Sequence, residues 1–148
     1  MAERTLLVAT DGSPAATAAV TRALELALAM QARVRFVHAS SPVAEELFDR
    51  YPNDGPTQDQ IIARDPILAD AAERAADKGV ESEVELISAS SDANLAAEIA
   101  GIASGIEATM IVTGSRGRGT VAGAVLGSVS HNLISEAAVP VLIVHAAD

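Results

Sequence analysis

The sequence VTGSRGRGTVAGAVLGSVS, residues 112–130, contains five of the ten glycines in the chain. Three of these glycines and one serine follow the pattern Gly-x2-Gly-x9-Gly-Ser, formed by Gly114, Gly117, Gly127 and Ser128. Glycine lets the backbone turn sharply and lets a ligand approach the main chain closely. The stretch therefore predicts a phosphate-binding loop, with a flexible connection between two elements as the alternative.

Short apolar runs alternate with helical patterns along the whole chain. The predicted strands cover residues 5–10, 32–39, 80–88, 108–113 and 139–145. Helices are predicted from Ser13-Pro14, Asp65-Pro66, Asp92 and Ser128, and residues 39–60, with three prolines, are predicted to form the longest loop. This alternation is typical of an α/β fold with a parallel sheet and helices on both faces. The length predicts one domain over residues 1–148.

The same patterns predict where a ligand binds on this sheet. TLLVAT (residues 5–10) is apolar throughout its middle and indicates a central strand, whereas the alternating glutamates of VESEVELIS (residues 80–88) indicate an edge strand. We expect the first and fourth strands to be neighbours, because both are apolar and lead into glycine-bearing turns. Ligands of open parallel sheets bind where the strand order reverses, at the carboxyl ends of the strands. A helix that begins at Ser128 would direct N–H groups into that crevice.

The composition excludes several functional classes. A formal net charge of −10, with one lysine in the chain, argues against a partner such as nucleic acid or an anionic membrane. The absence of cysteine excludes disulfides and thiolate metal sites. His38, His131 and His145 lack metal-ligand spacing, so we expect structural roles for them and no metal site. No apolar run reaches the length of a membrane span or fits a signal peptide, so we expect a cytoplasmic protein.

Better-known phosphate-binding and signalling motifs do not fit the chain. In GSRGRGT, Thr120 follows Gly119 and Arg118, whereas a Walker A motif requires Gly-Lys before the hydroxyl residue. The first strand leads into DGSP (residues 11–14) and not into the Gly-x-Gly-x-x-Gly of a dinucleotide-binding fold. The third strand ends without the aspartate of a receiver domain. These observations argue against a Walker A site, a dinucleotide-binding site and a receiver domain, and they leave a nucleotide site of another class.

The sequence resembles the nucleotide-binding branch of the universal stress protein family over essentially its whole length. The similar segments are LLVATDGS, the FVH end of the second strand, IVTGSRGRG, LGSVS and VPVLIVH. The spacing Gly-x2-Gly-x9-Gly-Ser after the fourth strand is the ATP motif of that family. The resemblance implies an open five-stranded parallel sheet with helices on both faces, Rossmann-like and of the adenine-nucleotide alpha-hydrolase type.

The resemblance also implies roles for individual residues. Ala9 and Thr10 would present their backbone to the adenine, Asp11 would face the nucleotide, and Ala39 would line the adenine pocket. The residues implied to hold the ribose and the phosphates are Thr113, Gly114, Arg116, Gly117, Gly127, Ser128 and Val129. Similar proteins bind ATP or AMP, often with Mg²⁺ on the phosphates. They form homodimers through the last strand, which in this chain is Val139 to His145.

Three places depart from the pattern of the family. Ala93-Asn94-Leu95 stands where many relatives have Gly-x-Pro, and Thr109 stands where an acidic residue is usual. Thr113 replaces a large apolar residue beside the ribose. Because none of these places lies in the phosphate motif, we expect them to affect the fit of the adenine more than the binding of the anion.

The resemblance implies a binding protein, a stress-response or signalling module whose bound nucleotide alters contacts within the dimer or with an unidentified protein partner. The alternative is an enzyme on the same fold, either a slow ATPase or a nucleotidyl transferase. The sequence favours the binding protein, because Asp11 is accompanied by no Walker lysine and no recognisable catalytic loop. Arg116 and Arg118 fit a phosphate contact and a solvated surface position equally well, since backbone amides can bind phosphate without them.

Overall fold

A computed structural model of the chain describes residues 3–116 and 126–146. The strands of the described residues are β1 Thr5–Ala9, β2 Arg33–Ala39, β3 Ser82–Ile87, β4 Met110–Gly114 and β5 Val141–Val144. The helices are α1 Pro14–Met30, α2 Ser41–Arg50, α3 Gln58–Arg64, α4 Pro66–Asp77, α5 Asp92–Gly105 and α6 Ser128–Glu136. The predicted elements are confirmed, with ends that differ by up to two residues.

The strands form one parallel sheet in the order β3-β2-β1-β4-β5. β1 lies at the centre, β3 lies at one margin, and β1 and β4 are neighbours, as the sequence predicts. The order of the chain therefore reverses between β1 and β4. This reversal creates the crevice at the carboxyl ends of the two strands in which ligands of such sheets bind.

Hydrophobic cores cover both faces of the sheet. Along β1, Leu6 and Val8 belong to the core under α1 and α4, whereas Leu7 belongs to the core under α5 and α6. All three side chains are 0% exposed. Successive side chains of a strand point to opposite faces, so a strand that is covered on both faces must be apolar throughout. The middle of β1 is apolar because the strand lies at the centre of the sheet and is covered on both faces.

The segment 39–60 differs from the prediction of one long loop. Most of it is helical, because α2 occupies Ser41–Arg50 and α3 begins at Gln58. Pro42 lies in the first turn of α2, where the missing N–H breaks no helical hydrogen bond. Thr57 begins α3 through a capping box with Gln60. Our prediction was wrong because it took every proline of the segment as a loop signal.

Candidate functional site

The turn between β1 and α1 is held by hydrogen bonds at the centre of the carboxyl edge. The Thr10 N–H donates to the Val37 carbonyl of β2 at 2.9 Å. The Oδ1 atom of Asp11 accepts the Ser13 N–H at 2.9 Å, which is an Asx turn. Gly12 has a φ of 78°, a conformation that side chains disfavour. The turn is therefore fixed in a shape that holds Thr10 and Asp11 at the crevice.

The end of β4 lies against the first turn of α1. A Cβ atom added to Gly114 would lie 2.7 Å from the carbonyl carbon of Ala15 and 2.7 Å from the nitrogen of Ala16. The hydroxyl of Ser13, which caps α1 by accepting the Ala16 N–H, also donates to the Arg116 carbonyl at 3.4 Å. Gly114 is thus required by the close approach of two backbones, whether or not a ligand also needs the space.

The first turn of α6 is attached to the chain that leaves β4. The N-cap residue Gly127 donates its N–H to the Ser115 carbonyl at 2.6 Å, and the Ser115 N–H donates to the Val144 carbonyl of β5 at 2.8 Å. The Ser130 hydroxyl lies 3.0 Å from the Ser115 carbonyl and 3.1 Å from the Gly127 carbonyl. Because the N–H of Gly127 already has an acceptor, the N–H groups available to a ligand at this helix end are those that follow it.

Ala39 lies at the carboxyl end of β2, beside the same edge. The Thr10 N–H to Val37 bond is the last one between the β1 and β2 chain segments. Main-chain groups of alternate residues point to the same side of a strand, so the N–H and carbonyl of Ala39 face the side of β1 but lie past its end. On the other side, Ser40 is bonded to the Ile87 carbonyl at 3.0 Å. Ala39 therefore offers a donor and an acceptor to a ligand in the crevice.

Sequence reasoning missed the hydrogen-bonded pair that supports this end of β2. The Nδ1 atom of His38 lies 2.7 Å from the Oδ2 atom of Asp65. The other carboxylate oxygen of Asp65 accepts the N–H groups of Ile67 and Leu68, both at 3.0 Å, and so caps α4. The sequence signalled the cap through Asp65-Pro66, but nothing in it linked the cap to His38. This hydrogen bond is consistent with the structural role expected for His38.

A cleft of about 230 Å³ opens between α1 and α4 beside the β1–α1 turn. Drug-sized ligands occupy pockets of roughly 300–1,000 Å³, so this cleft suits a fragment such as one heterocyclic base. Its walls are mainly apolar, with two threonine hydroxyls and the Asp70–Arg74 ion pair at 2.7 Å. The lining residues are Thr10, Gly12, Thr17, Val20, Pro66, Ile67, Asp70, Ala71 and Arg74.

The structure brings most of the predicted site residues to one edge of the sheet. Ala9 ends β1, Thr113 is buried in β4, Ser128 is exposed at the start of α6, and Val129 packs against the core beneath it. The predictions for Gly117 and Arg118 lie outside the described residues. Ser115 and Ser130 were missed. The Gly-Ser and Ser-x-Ser patterns around these two serines can be read in the sequence. Nothing in the sequence indicates that Ser115 and Ser130 contact each other across the glycine segment.

The structure shows the surroundings of two of the places where the sequence departs from the pattern of the family. Thr113 is 6% exposed and pairs with Ile143 of β5. Residues 93–95 lie in the first turn of α5, where the Ser91 hydroxyl accepts the Asn94 N–H at 3.1 Å. The helix start at this position is therefore capped by a side chain without Gly-x-Pro.

Residues 3–116 and 126–146 contain neither a metal-binding cluster nor a helix that could cross a membrane. No group of three or more His, Asp or Glu side chains in these ranges could hold a metal ion. No helix within them combines the length and the apolar character that a membrane crossing requires.

Comparison with known proteins gives consistent matches over the length of the chain. The model of the Universal stress protein family matches residues 3–145. A universal stress protein of Thermus aquaticus is 36% identical over 95% of this chain and 98% of its own length, and one of Mycobacterium tuberculosis is 34% identical over 97% of each. The crystal structure of a universal stress protein in complex with cAMP is 30% identical, with a TM-score of 0.69 over 99% of this chain and 100% of that one.

Proposed function

Because the chain belongs to the universal stress protein family, we propose that it binds an adenine nucleotide at the carboxyl edge of β1 and β4. One observation supports this site most strongly: the end of β4 touches the first turn of α1 at Gly114, and Ser115 holds the first turn of α6. Two helix N-termini therefore lie beside the crevice. The positive ends of their dipoles favour an anion such as a phosphate group.

The phosphates are assigned to the start of α6. The N–H groups of Ser128 and Val129 are among the first of the helix, which have no acceptor within it. The exposed Ser128 hydroxyl adds a further donor. Arg116 and Gly117 are proposed to contact the same phosphates, and the Gly127 N–H supports them indirectly by holding the helix end against Ser115.

The base and the ribose are assigned to the opposite side of the crevice. Ala39 presents a main-chain donor and acceptor past the end of β1, which is the kind of edge that the amino and ring nitrogens of adenine can pair with. Ala9 and Thr10 supply the neighbouring backbone, and Asp11 faces the ribose. A relative 30% identical to this chain has been determined in complex with cAMP, which supports adenine nucleotides as the ligand class. We propose ATP or AMP, with Mg²⁺ accompanying the phosphates.

The proposed role is binding and signalling, within a homodimer formed through β5. The groups that an enzyme would need at this site are few. Asp11 is the carboxylate there, and in the β1–α1 turn it accepts the Ser13 N–H. The only lysine of the chain, Lys78, precedes β3 at the opposite edge of the sheet. A cationic clamp of the kind that accelerates phosphoryl transfer is therefore not supplied by lysine. Slow hydrolysis or nucleotidyl transfer remains the second candidate, because Arg116 lies beside the site.

The test is to identify the nucleotide that the purified protein carries and then to measure binding. Mass spectrometry of the heat-released ligand should find an adenine nucleotide. Titration calorimetry of the stripped protein should show binding of ATP, AMP or cAMP and weaker binding of GTP, whose base presents a different donor and acceptor edge to Ala39. Failure of all three adenine nucleotides to bind would overturn the proposal.

A further inference from the structure

The free edge of β3, which β2 separates from β1, has a defined set of outward main-chain groups. The Glu81 carbonyl accepts the Val34 N–H at 3.0 Å, and the Ile87 carbonyl accepts the Ser40 N–H at 3.0 Å. Odd-numbered residues of β3 therefore face β2. Val84 and Leu86 accordingly direct their N–H and carbonyl groups away from the sheet. Unpaired edge groups of this kind are a template for pairing with a strand of another chain.

The outward main-chain groups of Val84 are covered by a side chain, which bonds them as a neighbouring strand would. The Nε2 atom of Gln58 donates to the Val84 carbonyl at 2.9 Å, and its Oε1 atom accepts the Val84 N–H at 2.7 Å. A carboxamide offers the same donor and acceptor as a peptide group. Gln58, the first residue of α3, thus occupies the edge at Val84 and leaves the next outward residue, Leu86, uncovered by it.

Leu86 lies in a groove of about 530 Å³ that straddles the β3 edge. On the side of α2 and α3, the groove is lined by Asp54 and by Phe48, whose side chain is 46% exposed. On the side of α5, it is lined by Glu85 and Glu98. The side chains of a strand added along this edge would alternate between these two sides. Each side of the groove has a carboxylate, and the side of α2 and α3 also has the aromatic ring of Phe48.

The negative charge of the groove determines which kind of partner can bind there. Arg35 lies in it but is held by Glu83 at 2.8 Å and Glu85 at 3.0 Å. Asp54 and Glu98 make no ion pair with any residue of 3–116 or 126–146. A second copy of β3 would bring its own glutamates against these carboxylates, and the chain carries a net charge of −10. Like charges across an interface disfavour such self-pairing.

We propose that the β3 edge docks an extended, basic peptide segment of another protein. The segment adds a short strand beside Leu86, exchanging main-chain hydrogen bonds with it, in the mode of β-strand addition. Its lysine or arginine side chains pair with Asp54 on one side and Glu98 on the other. An apolar side chain of the segment packs on the exposed ring of Phe48. This surface uses none of the residues assigned to the nucleotide, so it stands independently of that proposal.

The test uses the full chain, ¹⁵N-labelled, and the peptide acetyl-Val-Lys-Lys-Arg-Val-amide, which as a strand places basic side chains on both sides and apolar side chains on one of them. Titration should shift the amide resonances of Leu86 and Ser88 and leave those of β5 in place. The same peptide with its central amide nitrogens methylated keeps the charge but loses the strand donors, so its affinity should fall several-fold. Glu98→Gln should weaken the unmethylated peptide, whereas Glu136→Gln, an equal loss of charge on exposed α6, should not.

Equal binding of the methylated and unmethylated peptides would show attraction by charge without strand addition, and would overturn the proposal. Equal weakening by Glu98→Gln and Glu136→Gln would do the same, because it would place the effect in the overall charge of the protein. The absence of any shift at Leu86 and Ser88 at millimolar peptide would also contradict it.

Discussion

The Nδ1 atom of His38 lies 2.7 Å from the Oδ2 atom of Asp65, a residue whose side chain is 2% exposed. Because Asp65 also caps α4, this hydrogen bond joins the carboxyl end of β2 to the helix that forms one wall of the cleft beside the β1–α1 turn. The pair therefore connects the stability of the fold to the shape of the candidate site.

Asp65→Ala should destabilise the protein by more than the loss of a cap, which costs about 0.5–2 kcal/mol. The variant also leaves His38 and two helix N–H groups without their buried acceptor, and groups left in this way carry a further penalty. Urea unfolding measures the difference. Ser91→Ala removes an exposed N-cap of α5 and is the matched control. Equal losses in the two variants would show that the bond to His38 adds nothing.

Gly114→Ala should destabilise the protein by about 1–3 kcal/mol, the usual cost of overpacking. The added Cβ meets the α1 backbone at 2.7 Å, and backbone cannot move aside as a side-chain end can. Gly101→Ala is the control, because a Cβ there has no atom within 4 Å and replaces a glycine inside α5. It should stabilise by up to about 1 kcal/mol. Thermal unfolding should move in opposite directions for the two variants, and a shift in the same direction would refute this account of Gly114.

Ile143→Pro should dissociate the proposed homodimer while leaving the subunit folded. Pro140 and Val144 accept bonds from the β4 side, so Ile143 faces outward and its N–H is free for a partner strand. Leu142→Pro, by contrast, would remove a bond to β4 and would confuse dimer loss with unfolding. Light scattering measures the mass. Ser82→Pro, at an outward position of β3, is the control and should leave the dimer intact.

A monomer in the unmodified protein at micromolar concentration, with or without ATP, would exclude dimerisation through β5. A dimer that survives Ile143→Pro would place the contact elsewhere.

Phosphate release from ATP and Mg²⁺ in a single-turnover assay should be far slower than the roughly 1–10³ per second of ordinary enzymes. The reason is the lack of a lysine at the proposed site, since Lys78 lies at the opposite edge of the sheet. Asp11→Ala is the informative variant. Turnover within the enzyme range that this substitution abolishes would establish the enzyme in place of the binding protein.

Part of the sheet order could be predicted, because local sequence patterns mark the central strand and one edge strand. The apolar middle of β1 indicated its central place, and the glutamates of β3 indicated an edge. Ser13-Pro14 and Asp65-Pro66 marked two helix starts through a cap followed by proline. Segment 39–60 was predicted incorrectly, because proline marks both loops and first helical turns and only the surrounding packing distinguishes them.

The contacts that join distant parts of the chain could not be predicted. Gly114 was expected to help hold the ribose and the phosphates, and its contact with α1 depends on how the end of β4 meets that helix. The pairing of Gln58 with Val84 joins residues 26 apart through one amide side chain. Sequence patterns report the period of an element and its ends, whereas these contacts follow from the placement of elements in space.

The central claim is that an adenine nucleotide binds at the carboxyl edge of β1 and β4, and an ATP titration of the ¹⁵N-labelled protein tests it most directly. The claim predicts the largest amide shifts at Ser128, Val129 and Ala39, at the two ends of the proposed ligand, with little change at Ser82 on the far strand. Saturable ATP binding that moves the β3 edge and leaves those three amides in place, or no saturable binding at all, would contradict it.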